Sequence, residues 1–317
     1  MKRIVRTVLG DISPDTLGFC DCHCHPLVIS EHMSELDASH FDVRDAGTAR
    51  NELLKFKAAG GQSIADCQPL GAGRATSELP GLSESTGLHI IACTGFHMQR
   101  FYPASHWTFT ASETELTDIY VSELTEGMYC GGERRIASKA GFIKNATEEP
   151  DFDETDRRRL TAAAKANLLT GAPLLCHTNK SALTHIPFLL DLGVDPESII
   201  VAHLDKSNLP PEDYHFEIAG MGVFLEFDSI VNSWRNTKEE EITLIKKMLD
   251  KGFSKQLMLG SDPVRTSFKS YAPSGEGLDY IPLVFLGLLR DAGASEPEIT
   301  DMTVDVPKEA FSFVPRY

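Results

Sequence analysis

Eight short apolar runs punctuate the chain, most of them followed by a stretch long enough for a helix, and this alternation limits the fold more than any other feature. The runs are LGFCDCH (17–23), GQSIADCQ (61–68), LHIIACTG (88–95), AGFIKNA (140–146), APLLCHT (172–178), SIIVAHL (198–204), MGVFLEFD (221–228) and KQLMLGSD (255–262). Most are continuously apolar at their centres, as parallel strands covered on both faces must be. Among the stretches between them, DETDRRRLTAAAKANLLTG (153–171) has an acidic start, an apolar stripe and a glycine stop. TKEEEITLIKKMLDKG (237–252) repeats that plan, with Thr237 as N-cap and Gly252 just past the end. Eight strands alternating with helices predict an α/β fold, the (β/α)8 TIM barrel, as one domain over residues 1–317. A doubly wound open sheet would need a glycine-rich phosphate turn after its first strand, and none follows LGFCDCH.

Charge narrows the partners. Lys and Arg number 30 against 46 Asp and Glu, a net charge of −16. That argues against nucleic-acid binding, which needs a basic footprint, and against a polybasic membrane-surface role. The opening MKRIVRTVLGDISPD has only a brief apolar run before Asp11, too short for a signal h-region, and no run reaches transmembrane length. Seven cysteines, three of them within five residues, suit a reducing environment, and a cytoplasmic location is expected.

In a (β/α)8 barrel the C-terminal strand ends build the active site. The first strand ends in His23 and His25, the fourth carries Lys144, the fifth ends in His177, the sixth in His203 and the eighth in Asp262. A single histidine at a strand end is more often a hydrogen-bonded structural residue than a ligand. A set repeated at five strand ends is not what a bland core produces, and imidazole with carboxylate suits zinc and neighbouring divalent ions. The stretch FCDCHCHP alternates Cys20, Cys22 and Cys24 with Asp21, His23 and His25. With His23 and His25 pointing into the barrel, strand alternation sends the three cysteines outward under the helices, as small packing residues rather than ligands.

These motifs, CHCHP, AGFIKNAT, PLLCHT, IIVAHLD and LMLGSD in this order, resemble those of the phosphotriesterase-related branch of the amidohydrolase superfamily, from about Thr16 to the end. The resemblance implies a binuclear metal centre. His23, His25 and Asp262 would hold the more buried ion, and His177 and His203 the more exposed one. Lys144 would bridge both as an N-carboxylated lysine, since an ammonium has no lone pair to offer. Zinc is the first expectation, with manganese, cobalt or iron also suited to the set. The implied reaction is hydrolysis by a hydroxide bridging the two ions, with Asp262 as the catalytic proton acceptor. Relatives of this kind are often homodimers.

The implied substrates are lactones and phosphotriesters. The loop SDPVRTSFKSYAPSGEGLDYI clusters Arg265, Lys269 and Tyr271 beside Asp262, groups able to clamp an anionic tail. It is similar to the corresponding loop of relatives that open phosphorylated sugar lactones, with APSGEG where they have GGGPG. FHMQRFYPASHW (96–107) adds His97, Arg100, Tyr102 and Trp107, and Asp228, Asn232 and Arg235 follow the seventh strand. Each alone reads as a loop charge or packing group; together His97, Tyr102, Asp228 and Arg235 join the substrate-binding candidates. So polar a mouth favours a small hydrophilic lactone, a phosphorylated sugar lactone included, over a neutral organophosphate or a long acyl chain. The alternatives are a phosphotriesterase and a barrel that binds metal without turnover.

Overall fold

The computed structural model describes residues 2–147, 152–177, 181–206, 214–232 and 236–317. A hairpin, β1 (Ile4–Thr7) and β2 (Gly10–Ile12), precedes eight parallel strands. These are β3 (Cys20–Cys24), β4 (Ser63–Asp66), β5 (His89–Phe96), β6 (Phe142–Ala146), β7 (Leu174–His177), β8 (Ile199–Ala202), β9 (Phe224–Phe227) and β10 (Leu257–Leu259), each paired with the next in chain order. The ring closes where Ser261 and Asp262 donate their N–H groups to the His23 carbonyl, at 3.1 and 2.7 Å. Asp21 reinforces that seam, accepting from the Ser261 N–H at 2.9 Å and its hydroxyl at 2.5 Å. The architecture is the (β/α)8 barrel expected from the alternation. Among the described residues no helix is long and apolar enough to cross a membrane.

Both helices read from the sequence form. Glu154–Thr170 is capped by Asp153, which accepts from the Asp156 N–H, and stops at Gly171 in the left-handed region. Lys238–Asp250 starts in a reciprocal capping box between Thr237 and Glu240. Further helices, Ala46–Ala58, Leu79–Thr86, Glu113–Thr125, Ala182–Asp191 and Tyr214–Gly220, fill the other connections. Thr178, at the end of the fifth apolar run, lies outside the described residues.

Alternation along β6 explains the interior. Ile143 packs toward the helices, while Phe142 faces inward with Leu175, Ile200, Ala202 and Met258. Two residues on, Lys144 rises from the same face toward the mouth. Each large side chain buried in that layer contributes roughly 1.5–3 kcal/mol. The other end of the barrel is covered by β1 and β2, paired with β11 (Ser312–Phe313), and by Val306, Ala310 and Phe311 of the C-terminal segment.

The cysteine expectation needs correction. Cys20 and Cys22 lie in the barrel interior with Cys67 and Cys93, and only Cys24 packs in the outer layer. The cause is a β-bulge: three steps along β3, from Asp21 to Cys24, match two along β4, from Ile64 to Asp66. One extra residue flips the alternation. Cys20 and Cys22 therefore face inward below the bulge, and His23 and His25 face inward above it.

Candidate active site

The mouth of the barrel holds a cavity of about 140 Å³ whose lining includes His25, Lys144, His177, His203 and Asp262. A larger cleft of about 820 Å³ lies on the flank by Trp107 and Tyr129. Of its charged wall residues, Arg74 and Glu78, the arginine is already paired with Glu123 at 2.5 Å, and none of the strand-end groups reaches the cleft, so the chemistry lies in the smaller cavity.

Backbone geometry brings the strand-end side chains together. His203 and Asp262 are the only non-glycine residues with positive φ among those described, at 64° and 37°. Such conformations persist where surrounding structure holds them, and they concentrate at functional sites. The Asp262 carbonyl is fixed by the Asn232 amide at 2.8 Å, whose oxygen accepts from Ser267 at 2.7 Å. Gly95 (φ 99°) lies against the Lys144 backbone, and a Cβ there would collide with the Lys144 carbonyl.

The contacts are short. Lys144 Nζ lies 3.2 Å from His23 Nε2, and Asp262 Oδ1 lies 3.4 Å from His25 Nε2 and 3.9 Å from His23 Nε2. His203 Nε2 and His177 Nδ1 approach to 2.7 Å. Ligand atoms of His23, His25 and Asp262 all fall within 4.8 Å of one another. His25 Nδ1 and His177 Nε2 are buried and have no hydrogen-bond partner among the described residues. Convergent imidazoles and a carboxylate, with the His203 and His177 ring nitrogens facing each other inside the site, fit divalent metal ions.

Partners on the far ring nitrogens sort the imidazoles. His203 Nδ1 faces Asp228 Oδ1 at 2.7 Å, and the His203 N–H donates to Asp228 Oδ2 at 2.9 Å. His23 Nδ1 faces Glu226 Oε2 at 2.8 Å and Asp228 Oδ2 at 3.3 Å. An acceptor at Nδ1 puts the proton there and leaves the Nε2 lone pair pointing into the site. His97 is the reverse: its Nδ1 accepts the Met98 N–H at 2.8 Å, so its Nε2 carries the proton and acts as a donor. Burial, aided by the charge of Lys144, lowers the His25 pKa to about 4, and burial lowers that of His203 to about 3. These rings stay neutral through the physiological range. Burial raises Glu226 to about 8, whereas Asp228, against the pull of its burial, is drawn well down by His203 and His23.

The remaining candidates fall in different places. His97 lines the cavity. Tyr102 does not serve as a free phenol: its hydroxyl accepts the His97 N–H at 2.8 Å and donates to the Leu70 carbonyl at 3.0 Å. Asp228 is fully buried behind His203 and His23, so it supports imidazoles rather than contacting a substrate. Arg265 stacks its guanidinium 4.0 Å from the Tyr271 ring and bonds the Asp42 carbonyl, one residue beyond Val264 of the cavity lining. Lys269 is drawn away to Asp279 at 2.8 Å. Arg235 lies outside the described residues. The cationic lining instead includes Arg100 and Lys206, with His40 beside them. Lys206 was missed in the sequence, although its position three residues past His203 was a usable signal.

The chain is similar to known proteins over nearly its whole length. The model of the phosphotriesterase family matches residues 3–311. A phospho-furanose lactonase of Mycoplasmopsis synoviae is 32% identical over 335 residues, covering 98% of this chain and 92% of that protein. An aryldialkylphosphatase of Saccharolobus solfataricus is 27% identical, covering 95% of this chain and 97% of that protein. The crystal structure of a lactonase from Listeria monocytogenes superimposes with a TM-score of 0.89 at 26% identity, covering 98% of this chain and 99% of that one. The chain belongs to the phosphotriesterase family and is a hydrolase acting on ester bonds.

Proposed function

We propose that the chain is a binuclear metal-dependent lactonase whose substrate is a small hydrophilic lactone bearing an anionic group, a phosphorylated sugar lactone foremost. The observation that carries this reading is the placement of Arg100 and Lys206 in the wall of the cavity that also holds the imidazole and carboxylate set, in a protein of net charge −16. Phospho-furanose lactonases among the relatives support the same substrate class.

In this reading His23, His25 and Asp262 would hold one divalent ion and His177 and His203 the other, zinc foremost, with Lys144, N-carboxylated, as a further ligand. Bound there, the ions supply Lewis acidity and a low-pKa water. Asp262 takes the proton released on attack at the lactone carbonyl and returns it to the ring oxygen as the ring opens. The His97 Nε2–H donates to a substrate oxygen. Lys206 and Arg100 hold the anionic group, with Arg265 at the rim, its guanidinium oriented by Tyr271. A second reading, phosphotriester hydrolysis, is favoured by the apolar part of the same lining, Met33, Phe41, Met98 and Phe101, and by the aryldialkylphosphatase relative.

The test is hydrolysis by metal-loaded protein of sugar γ-lactones, each paired with its phosphorylated form, together with an aryl phosphotriester. Phosphorylated lactones are the preferred substrates, and chelation abolishes turnover. K206A raises KM about 10–100-fold for the phosphorylated member of each pair and little for the other, the value of a charge-assisted hydrogen bond. Metal uptake without hydrolysis of any lactone overturns the lactonase reading in favour of a barrel that only binds metal, and turnover confined to the phosphotriester assigns the second reading.

A further inference from the structure

We propose that Glu226 is a positioning residue that holds the His23 imidazole in the tautomer able to bind metal, a role that rests on the metal-dependent reading above. β9 carries Glu226, and Asp228 follows at its end; both carboxyls are fully buried. Asp228 already spends both oxygens on His203, one on the ring and one on the backbone N–H. Glu226 Oε2, 2.8 Å from His23 Nδ1, is the nearer acceptor for that ring, Asp228 Oδ2 standing 3.3 Å away and already taking the His203 N–H. Ionised or protonated, a glutamate offers an acceptor oxygen at Oε2, so the contact does not depend on its charge.

Glu226 is costly where it stands. The layer around and below it is formed by Cys22, Cys67, Ile200 and Met258, all buried, and its Oε1 has no hydrogen-bond partner among the described residues. A buried carboxyl with an unsatisfied oxygen destabilises a fold that a leucine at the same point would fill. Its Oε2 bonds His23, whose Nε2 faces Lys144 Nζ at 3.2 Å and Asp262 Oδ1 at 3.9 Å. Without Glu226 only the longer contact to Asp228 Oδ2, an oxygen shared with the His203 N–H, holds the proton on Nδ1, and the tautomer with its lone pair turned away from the site gains ground. The geometry assigns Glu226 to the site rather than to the core.

The experiment compares the full-length wild type, E226Q and E226L by zinc competition against a chromogenic chelator, with thermal melting of each metal-free protein and ring-nitrogen NMR of the zinc-loaded wild type. E226Q keeps an acceptor oxygen and binds zinc within about three-fold of wild type, whereas E226L loses about 10–100-fold. Metal-free E226L melts no lower than wild type, and zinc-loaded wild type shows a protonated Nδ1 on His23. E226L binding zinc as tightly as wild type, or a His23 with no proton on Nδ1, overturns the role of Glu226; should E226L fail to fold, the wild-type resonance decides alone. A wild type that takes up no zinc overturns the metal reading itself, and this inference with it.

Discussion

Gly260 sets the spacing of the barrel seam, and replacing it with alanine drives a wedge into the site. A Cβ at this position would lie 2.8 Å from His23 Cβ, 2.9 Å from Asp228 Cβ and 2.9 Å from the His23 nitrogen. Ordinary contact begins at 3.4 Å, a shortfall of about 0.6 Å against atoms fixed to the backbone of β3 and of the residue that follows β9. No flexible side-chain tip can yield, so a strand must move. The Gly260 N–H is bonded to the Phe227 carbonyl at 2.9 Å, and the next two residues bond His23, so the displacement falls on His23. Overpacking of this kind costs about 1–3 kcal/mol in stability. It also exceeds the roughly 0.5 Å tolerance of a functional constellation, from which we expect zinc affinity to fall about 10–100-fold. Gly287→Ala is the control: it is helical and nothing lies within 4 Å of its Cβ, so it stabilises by about 0.5–1 kcal/mol. Calorimetry of the metal-free proteins and chelator competition read both effects. A G260A protein that melts and binds zinc like wild type refutes the reasoning.

Two other expectations concern groups behind the site and far from it. Asp228→Asn places an amide N–H₂ against one of the two His203 N–H donors, leaving a buried donor unpaired at about 1–3 kcal/mol; zinc competition should show weaker binding, and an unchanged affinity would remove Asp228 from the support of His203. His185, fully buried and lowered to about 4 chiefly by its burial, gives the wild type a pH dependence that His185→Gln lacks. Unfolded chains protonate this ring near 6.5 and the folded one only near 4, so wild type loses up to about 3 kcal/mol relative to the variant between pH 6.5 and 4; denaturant midpoints at pH 7 and pH 4 that shift equally for both proteins contradict this.

The barrel and the convergence of His23, His25, Lys144, His177, His203 and Asp262 were legible because both follow from the backbone. Continuous apolar runs dictate buried parallel strands, and a closed ring of such strands delivers their ends to one mouth whatever their other residues are. What escaped the sequence depends on partners across the barrel. Strand alternation put Cys20 and Cys22 on the wrong face because a one-residue bulge against β4 leaves no local trace in FCDCHCHP. Lys269 reads in the sequence as a substrate clamp, but its charge is taken up by Asp279, ten residues along the same loop. Glu226 lies in MGVFLEFD between Leu225 and Phe227 and reads as an ordinary strand residue, since nothing nearby announces that His23, 203 residues away, faces it. The two kinds of information differ in physical origin. Backbone periodicity is written residue by residue, whereas the tautomer of an imidazole is decided by whichever acceptor closure of the ring brings to its far nitrogen. A metal site of this type is therefore visible in sequence as a list of ligands before it is visible as a working arrangement, and the imidazole partners of Glu226 and Asp228 are the part that only the closed barrel reveals.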